Sequence, residues 1–300
     1  MASNQQEVTG HRLPPRDFGR RSIATAQTRS VQKAAGENHL SGFPTKGTVN
    51  GLVILVEFPN RSFSGDIDQK QYFEDFLMKP GFDDLGSYGS VHDYFIDNSM
   101  GQFDPQFDVF GPIVMPEPST YYGKNDNAGN DKNPQEMIVT ACQMIDDLVD
   151  FSKYDNDDDG YIDVVHVIFA GEGENNTQVA DDIWPHSWSI DKRTQLDGKI
   201  LGDYVCTCEL YGEKKDGIGV FCHEFCHALG LPDTYNTSNT NNYINGAYDL
   251  MDEGLYLGTC PDSNEQRGGR RPAALSAYAR YELGWLKPDL LIGNSCGAFY

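Results

Sequence analysis

Apolar positions in this chain come in two rhythms: short unbroken runs, and stripes that recur every three or four residues. The run Gly-Leu-Val-Ile-Leu-Val-Glu-Phe within Thr48–Phe58 reads as a central strand buried on both faces, and Val164–Gly171 reads as a second. Tyr72, Phe73, Phe76 and Leu77 predict a helix over Gln69–Met78, and Val91, Tyr94, Phe95 and Ile96 predict another over Gly89–Met100. Phe103–Pro112 is strand-like, and a loop rich in Pro, Asn, Gly and Asp follows through residue 133. Pro134 then opens a helix, its missing N–H harmless in the first turn, with Met137, Ala141, Met144, Ile145 and Leu148 as its apolar stripe. Residues 172–183 read as a polar loop and 184–210 as hairpin strands. A helix over Gly219–Leu229 stops at Gly230, an irregular segment runs through residue 271, and a last helix is expected from near Pro272 to Gly284–Trp285. Strands alternating with helices, without an internal repeat, predict an α/β (α+β) layered architecture.

With 300 residues, 39% of them hydrophobic and 16 each of Tyr and Phe, the chain is long enough for one large domain or two modest lobes. Residues 1–47 are rich in Gln, Arg, Ser and Thr and are expected to form an N-terminal tail or the remnant of a pro-segment. Residues 1–20 lack the apolar stretch of a signal peptide, and no apolar run is long enough to span a membrane. A net charge of −22 repels phosphate backbones and anionic lipid, so neither nucleic acid nor membrane is an expected partner. It suits divalent cations, or solubility outside a cell. Seven cysteines (Cys142, Cys206, Cys208, Cys222, Cys226, Cys260 and Cys296) form no C-x2-C pair, which argues against a cysteine zinc site. The odd number leaves at least one thiol free or paired outside the chain, and the redox compartment stays open.

The strongest chemical signal is His223-Glu224-Phe225-Cys226-His227. Histidines at i and i+4 share one helical face, about 6 Å apart along the axis, so both imidazoles reach one tetrahedral Zn2+. Glu224 sits one step round the helix, where its carboxylate reaches a water on the zinc, the position of a general base. Gly230 allows a left-handed exit, and Pro232 forbids an ordinary helix interior beyond it. The chain is therefore free to turn back and bring Asp233 under the ion as a third ligand, leaving a fourth position open for water.

His223-Glu224-x-x-His227-x-x-Gly230-x-x-Asp233 resembles the extended zinc consensus of the metzincin metallopeptidases, in the variant with Asp third. Gly246-Ala247-Tyr248-Asp249-Leu250-Met251-Asp252 resembles the methionine turn of that clan in its Asp-Leu-Met form. Together they resemble the immune inhibitor A group of secreted bacterial metallopeptidases. Pro272 to Trp285, Tyr154 to Asp163 and Ile183 to Trp188 are similar to further blocks of that group, and the resemblance covers residues 48–288. Some metzincins carry a Tyr two residues past the Met. Here that position is Glu253, so no such ligand is assigned.

The resemblance implies a two-lobed zincin around an active-site cleft. The upper lobe, residues 48–230, would hold a twisted mixed sheet, helices and the zinc helix. The lower lobe, 231–288, would be irregular, with Asp233, Met251 under the site and the last helix. Residues 289–300 would begin a following segment. It also implies a secreted or cell-surface zinc endopeptidase acting on protein or peptide substrates. The competing class is a non-catalytic metal-binding adhesion or interaction domain that keeps the metallopeptidase shell, against which the intact Glu224 speaks. A calcium-binding scaffold with incidental histidines is a third reading.

Asp155, Asp157 and Asp159 fall at positions 1, 3 and 5 of an EF-hand-like loop, with Gly160 at 6, Tyr161 offering its carbonyl at 7 and Asp163 at 9. Acids this close repel one another unless a cation sits among them, so a structural Ca2+ is expected. Position 12 is His166 rather than Glu, and a strand follows, so the loop is not a regular EF-hand. His186, between Trp184 and Trp188, has two readings: a polar contact to substrate in the cleft, or a packed, hydrogen-bonded histidine.

Overall fold

The computed structural model describes residues 43–127, 129–235, 244–258 and 268–289. Most of the expected tail (1–47), nearly all of the expected following segment (289–300), and Cys260 and Cys296 lie outside the described residues.

Among the described residues one mixed sheet dominates. Its strands are β1 (Gly47–Glu57), β2 (Phe103–Val114), β3 (Tyr161–Glu172), β4 (His186–Ser189), β5 (Gln195–Leu196), β6 (Lys199–Tyr211) and β7 (Lys214–Lys215). The order is β2-β1-β3-β6-β4, with β5 and β7 also paired to β6. The first four in that order run parallel, and β4, β5 and β7 are antiparallel to β6.

Both faces of the sheet are covered, which explains the unbroken apolar runs. Successive side chains alternate across the pleat. Leu52, Ile54 and Val56 enter one core, and Val53 and Leu55 enter the other. The helices are α1 (Gln69–Met78), α2 (Val91–Ser99), α3 (Ser119–Gly123), α4 (Pro134–Met144), α5 (Glu174–Thr177), α6 (Ile218–Ala228) and α7 (Ala277–Glu282). α1, α2 and α6 pack on the face of Val53 and Leu55, and α4 packs on the opposite face. The start of α2 is set by a reciprocal cap between Ser90 and Asp93, each backbone N–H donating to the other's side chain.

Three expectations change. The Pro134 helix ends at Met144, and a single tighter turn follows in which Leu148 N–H donates to Ile145 O. That turn carries Leu148 off the stripe into solvent; Met144, still on the helix, is also exposed, while Ile138 and Cys142 join the buried face. The last helix is short because the N–H groups before it are already taken. Ala273, Leu275 and Ser276 donate to Gly254 O, Asn98 Oδ1 and Asp249 Oδ1, and the Ser276 hydroxyl then caps Ala279 N–H. The polar loop at 172–183 contains the single helical turn α5.

The position of α6 follows from two contacts. Phe221 and Phe225, one turn apart, sit among Phe76, Phe95, Phe103 and Phe107, and the His166 ring on β3 stacks on Phe221 with centroids 3.8 Å apart. At the other end, a Cβ on Gly219 would stand 1.9 Å from Leu255 O, so the helix start lies directly on the backbone of the turn over Glu253–Tyr256. His166 is therefore a core residue bonded to Thr207 Oγ1, not a loop ligand. Another histidine outside the motif, His92, pairs with Asp104 at 2.8 Å.

Candidate metal centre

α6 ends as the glycine predicts. Gly230 has φ +97°, its N–H donates to His227 O, and Leu231 N–H donates to Cys226 O, a Schellman exit. The reversal carries Asp233 back against the helix. His223 Nε2 and His227 Nε2 stand 3.2 Å apart, and Asp233 Oδ1 lies 3.2 Å from the first and 3.4 Å from the second. Donors held at about 2.0–2.1 Å around a tetrahedral ion stand about 3.3–3.4 Å from one another, so the triangle has the size of one face of a zinc tetrahedron.

The hydrogen bonds behind the rings fix which nitrogen faces inward. His223 Nδ1 donates to Leu250 O at 2.9 Å, and His227 Nδ1 donates to Leu231 O at 2.8 Å. Each Nε2 thus presents a lone pair toward the carboxylate. Such second contacts orient metal-binding imidazoles. Two lone pairs and a carboxylate converging in a site where all three residues are more than nine-tenths buried repel one another unless a cation joins them. Burial raises the cost of ionising Asp233, but positive charge at His227 and His223 outweighs it and holds the acid below the usual carboxylate range; a cation between the rings and the carboxylate would supply the same positive charge while each Nε2 keeps its lone pair.

Glu224 is 1% exposed, and neither of its carboxyl oxygens has a hydrogen-bond partner. Burial pushes its pKa up to about 8, with His223 opposing the rise and Asp233 adding to it. Tyr235 was not singled out by the motif. Its hydroxyl is shielded from solvent, and burial, then Asp233 and Glu224, raise the phenol well above its ordinary value.

Met251 is fully buried, in the same core as Phe225, and follows Leu250, whose carbonyl accepts from His223 Nδ1. Two acids that the motif left unassigned shape its turn. Asp249 accepts from Asn245 Nδ2, Met251 N–H and Ser276 N–H. Asp252 Oδ2 accepts from the N–H groups of Ile244, Asn245 and Gly246. Aspartates flanking the Leu-Met pair were the available signal, since short side chains of this kind bond local backbone.

Asp155, Asp157, Asp159 and Asp163 each offer one oxygen within 4.8 Å of the others, and Tyr161 opens β3 between them. Burial raises Asp163 to about 7, opposed by bonds from Asn156 and reinforced by Asp157 and Asp159. The structure adds a cation that the loop spacing did not reveal. Lys199 Nζ, from β6, lies 2.6 Å from Asp155 Oδ2 and 3.3 Å from Asp158. Part of the expected repulsion is therefore relieved by an ammonium group.

His186 is 4% exposed, with Nδ1 2.6 Å from Trp184 O and Nε2 2.7 Å from the Tyr204 hydroxyl. Of its two readings, the packed one describes this environment. Cys142, Cys206, Cys208, Cys222 and Cys226 are buried thiols outside any disulfide among the described residues, and Cys222 and Cys226 pack in the same core as Phe221 and Phe225.

Comparison with known proteins gives a concordant result. A family model described as "Immune inhibitor A peptidase M6, catalytic domain" matches residues 44–286. The chain is 27% identical over 282 residues to "Immune inhibitor A" of Bacillus thuringiensis subsp. alesti, a match covering 73% of this chain and 41% of that protein. It is 24% identical over 281 residues to "Pre-pro-metalloprotease PrtV" of Vibrio cholerae serotype O1, covering 78% of this chain and 29% of the relative. The chain thus spans less than half the length of the curated relatives it matches.

Proposed function

Because the chain belongs to the immune inhibitor A peptidase family, M6, whose catalytic domain it matches over residues 44–286, we propose that it is a zinc-dependent endopeptidase of proteins or peptides. The observation that carries this reading is the 3.2–3.4 Å triangle of His223, His227 and Asp233 donors beside a buried carboxyl, Glu224, that has no partner of its own. In this reading those three residues hold Zn2+, which when bound supplies Lewis acidity toward a carbonyl and lowers the pKa of water.

Glu224 is the proton carrier. It takes a proton from the water that attacks the peptide carbonyl and passes it to the amine as the C–N bond breaks. Its burial suits that exchange, because a carboxyl whose pKa stands near 8 holds a proton readily, and a bound cation beside it draws that value back toward neutrality. The Leu250 and Leu231 carbonyls orient the two imidazoles, and Met251, next to Leu250, anchors that turn in the core. The buried carboxyl at 224 also speaks against a non-catalytic adhesion domain, which has no use for it.

We assign a structural Ca2+ to Asp155, Asp157, Asp159 and Asp163, with the Tyr161 carbonyl as a further ligand, tying the loop to β3. Residues 48–230 and 231–288 form the upper and lower lobes in this reading, and residues 1–47 are an N-terminal tail or part of a pro-segment. An extracellular location accords with the net charge of −22 and with a relative named as a pre-pro-metalloprotease. The test is casein hydrolysis with and without chelator, beside Glu224→Ala. Chelation and the substitution should each abolish cleavage, the substitution by at least about 100-fold at unchanged zinc content. A wild-type chain carrying full zinc that cleaves neither casein nor a peptide library would refute the assignment.

A further inference from the structure

Asp233 does not reach the two histidines on a featureless loop. Thr234, the next residue, is anchored on the opposite side: its N–H donates to Met251 O at 2.8 Å and its hydroxyl lies 3.4 Å from Asp249 Oδ2. Tyr235 follows, with its phenol close to Asp233. Its hydroxyl is buried and has no hydrogen-bond partner, the same condition as both oxygens of Glu224. The phenol lies within electrostatic reach of Asp233, Glu224 and Tyr256, and close to Asp233 without meeting the geometry of a hydrogen bond to it.

A buried hydroxyl with no partner is rare in a folded protein, because water would satisfy it in the unfolded chain. Packing gives no reason for this one, since a phenylalanine would fill the same space without an orphaned group. A protonated phenol beside a proton carrier offers one thing the carboxylates cannot, an O–H donor. Hydrolysis of a peptide bond gains from such a donor in addition to a Lewis acid, because negative charge builds on the carbonyl oxygen as water attacks. The residue two past Met251 is Glu253, so the methionine turn supplies no phenol at that position.

We propose that Tyr235 is a catalytic residue, whose phenol donates a hydrogen bond to the carbonyl oxygen of the scissile peptide as charge develops on it. The proposal rests on the peptidase reading above and adds the oxygen-binding group to it. The water oxygen bonds to the carbonyl carbon and the C–N bond breaks. Glu224 moves the proton, and the Tyr235 O–H keeps its own proton throughout.

The test compares Tyr235→Phe and Glu224→Ala with wild type, using a fluorogenic peptide, a phosphinic peptide whose tetrahedral oxygens mimic the attacked carbonyl, and the matching reduced-amide peptide, which lacks that oxygen. Tyr235→Phe should lower kcat by about 100-fold with little change in KM. It should weaken the phosphinic peptide by a similar factor, and leave the reduced amide and the zinc content unchanged. The proposal is overturned if kcat is unchanged, if both inhibitors weaken equally, or if zinc is lost. Glu224→Ala separates the two readings. If it is inactive while Tyr235→Phe matches wild type, only the tyrosine role fails. If it retains wild-type kcat, the peptidase mechanism itself fails, and this proposal with it.

Discussion

The backbone N–H of Thr234 donates to the carbonyl of Met251 at 2.8 Å, and this bond joins the loop carrying Asp233 to the methionine turn. Asp249 reinforces the joint, with Asn245, Met251 and Ser276 as donors and the Thr234 hydroxyl at 3.4 Å. Removing its carboxylate strands one buried and several part-buried donors, each costing up to about 1–3 kcal/mol. Asp249→Ala should therefore lower stability by roughly 3 kcal/mol or more in urea denaturation. It should also weaken zinc retention about 10–100-fold in chelator competition, because the Leu250 carbonyl that orients His223 shifts with the turn. Unchanged zinc affinity would mean that the turn does not position the histidine.

The two ends of the zinc-binding helix should respond differently to a methyl group. At Gly219 an added Cβ meets Leu255 O at 1.9 Å, whereas at Gly230 it meets nothing within 4 Å and strains only the φ of +97°. Gly230→Ala should cost about 1–2 kcal/mol. Gly219→Ala should cost more than that, since the helix start or the opposing turn has to move. Thermal denaturation of the two variants decides the ranking, and an equal loss would contradict the backbone-on-backbone contact.

His166 makes stability depend on acid. Burial holds its ring well below the ordinary histidine value, and it lies stacked on Phe221 with Nδ1 buried and without a partner. The folded chain resists binding a proton that the unfolded chain accepts. The contribution is therefore complete above the unfolded pKa, about 6.5, and is lost as pH falls through it, at up to about 1.4 kcal/mol per pH unit. Urea midpoints between pH 5 and 8 should show this limb in wild type and a shallower one in His166→Gln. Parallel curves would contradict the account.

Lys199 competes with the cation proposed among the aspartates. Its ammonium sits 2.6 Å from Asp155, and the salt bridge is partly open to solvent. Lys199→Met should tighten Ca2+ binding by roughly 1 kcal/mol, read by calorimetric titration of the metal-free chain. Weaker binding in the variant would show that the lysine supports the ion rather than opposing it.

The parts that were legible in the sequence are those encoded over short spans. The His223/His227 spacing follows from helical geometry, and the exit at Gly230 follows from one residue's backbone freedom. The aspartate loop follows from alternation. Features set by distant segments were not legible. The stripe through Leu148 looked continuous because hydrophobic spacing does not register the break at Ile145. The last helix looked longer because Asn98 and Asp249, which take the N–H groups of Leu275 and Ser276, lie 177 and 27 residues away. Lys199 reaches the acidic loop from 44 residues further on. Tyr235 carries no motif signal, and its buried hydroxyl near Asp233 is visible only in the folded loop.

The central claim is that His223, His227 and Asp233 hold one metal ion between them. The most direct measurement is zinc per chain by elemental analysis after dialysis, in wild type and in His227→Ala. The account predicts about one tightly held zinc in wild type and near-complete loss in the variant. A wild-type chain that holds no zinc after dialysis against it, or a variant that holds as much as wild type, would contradict it.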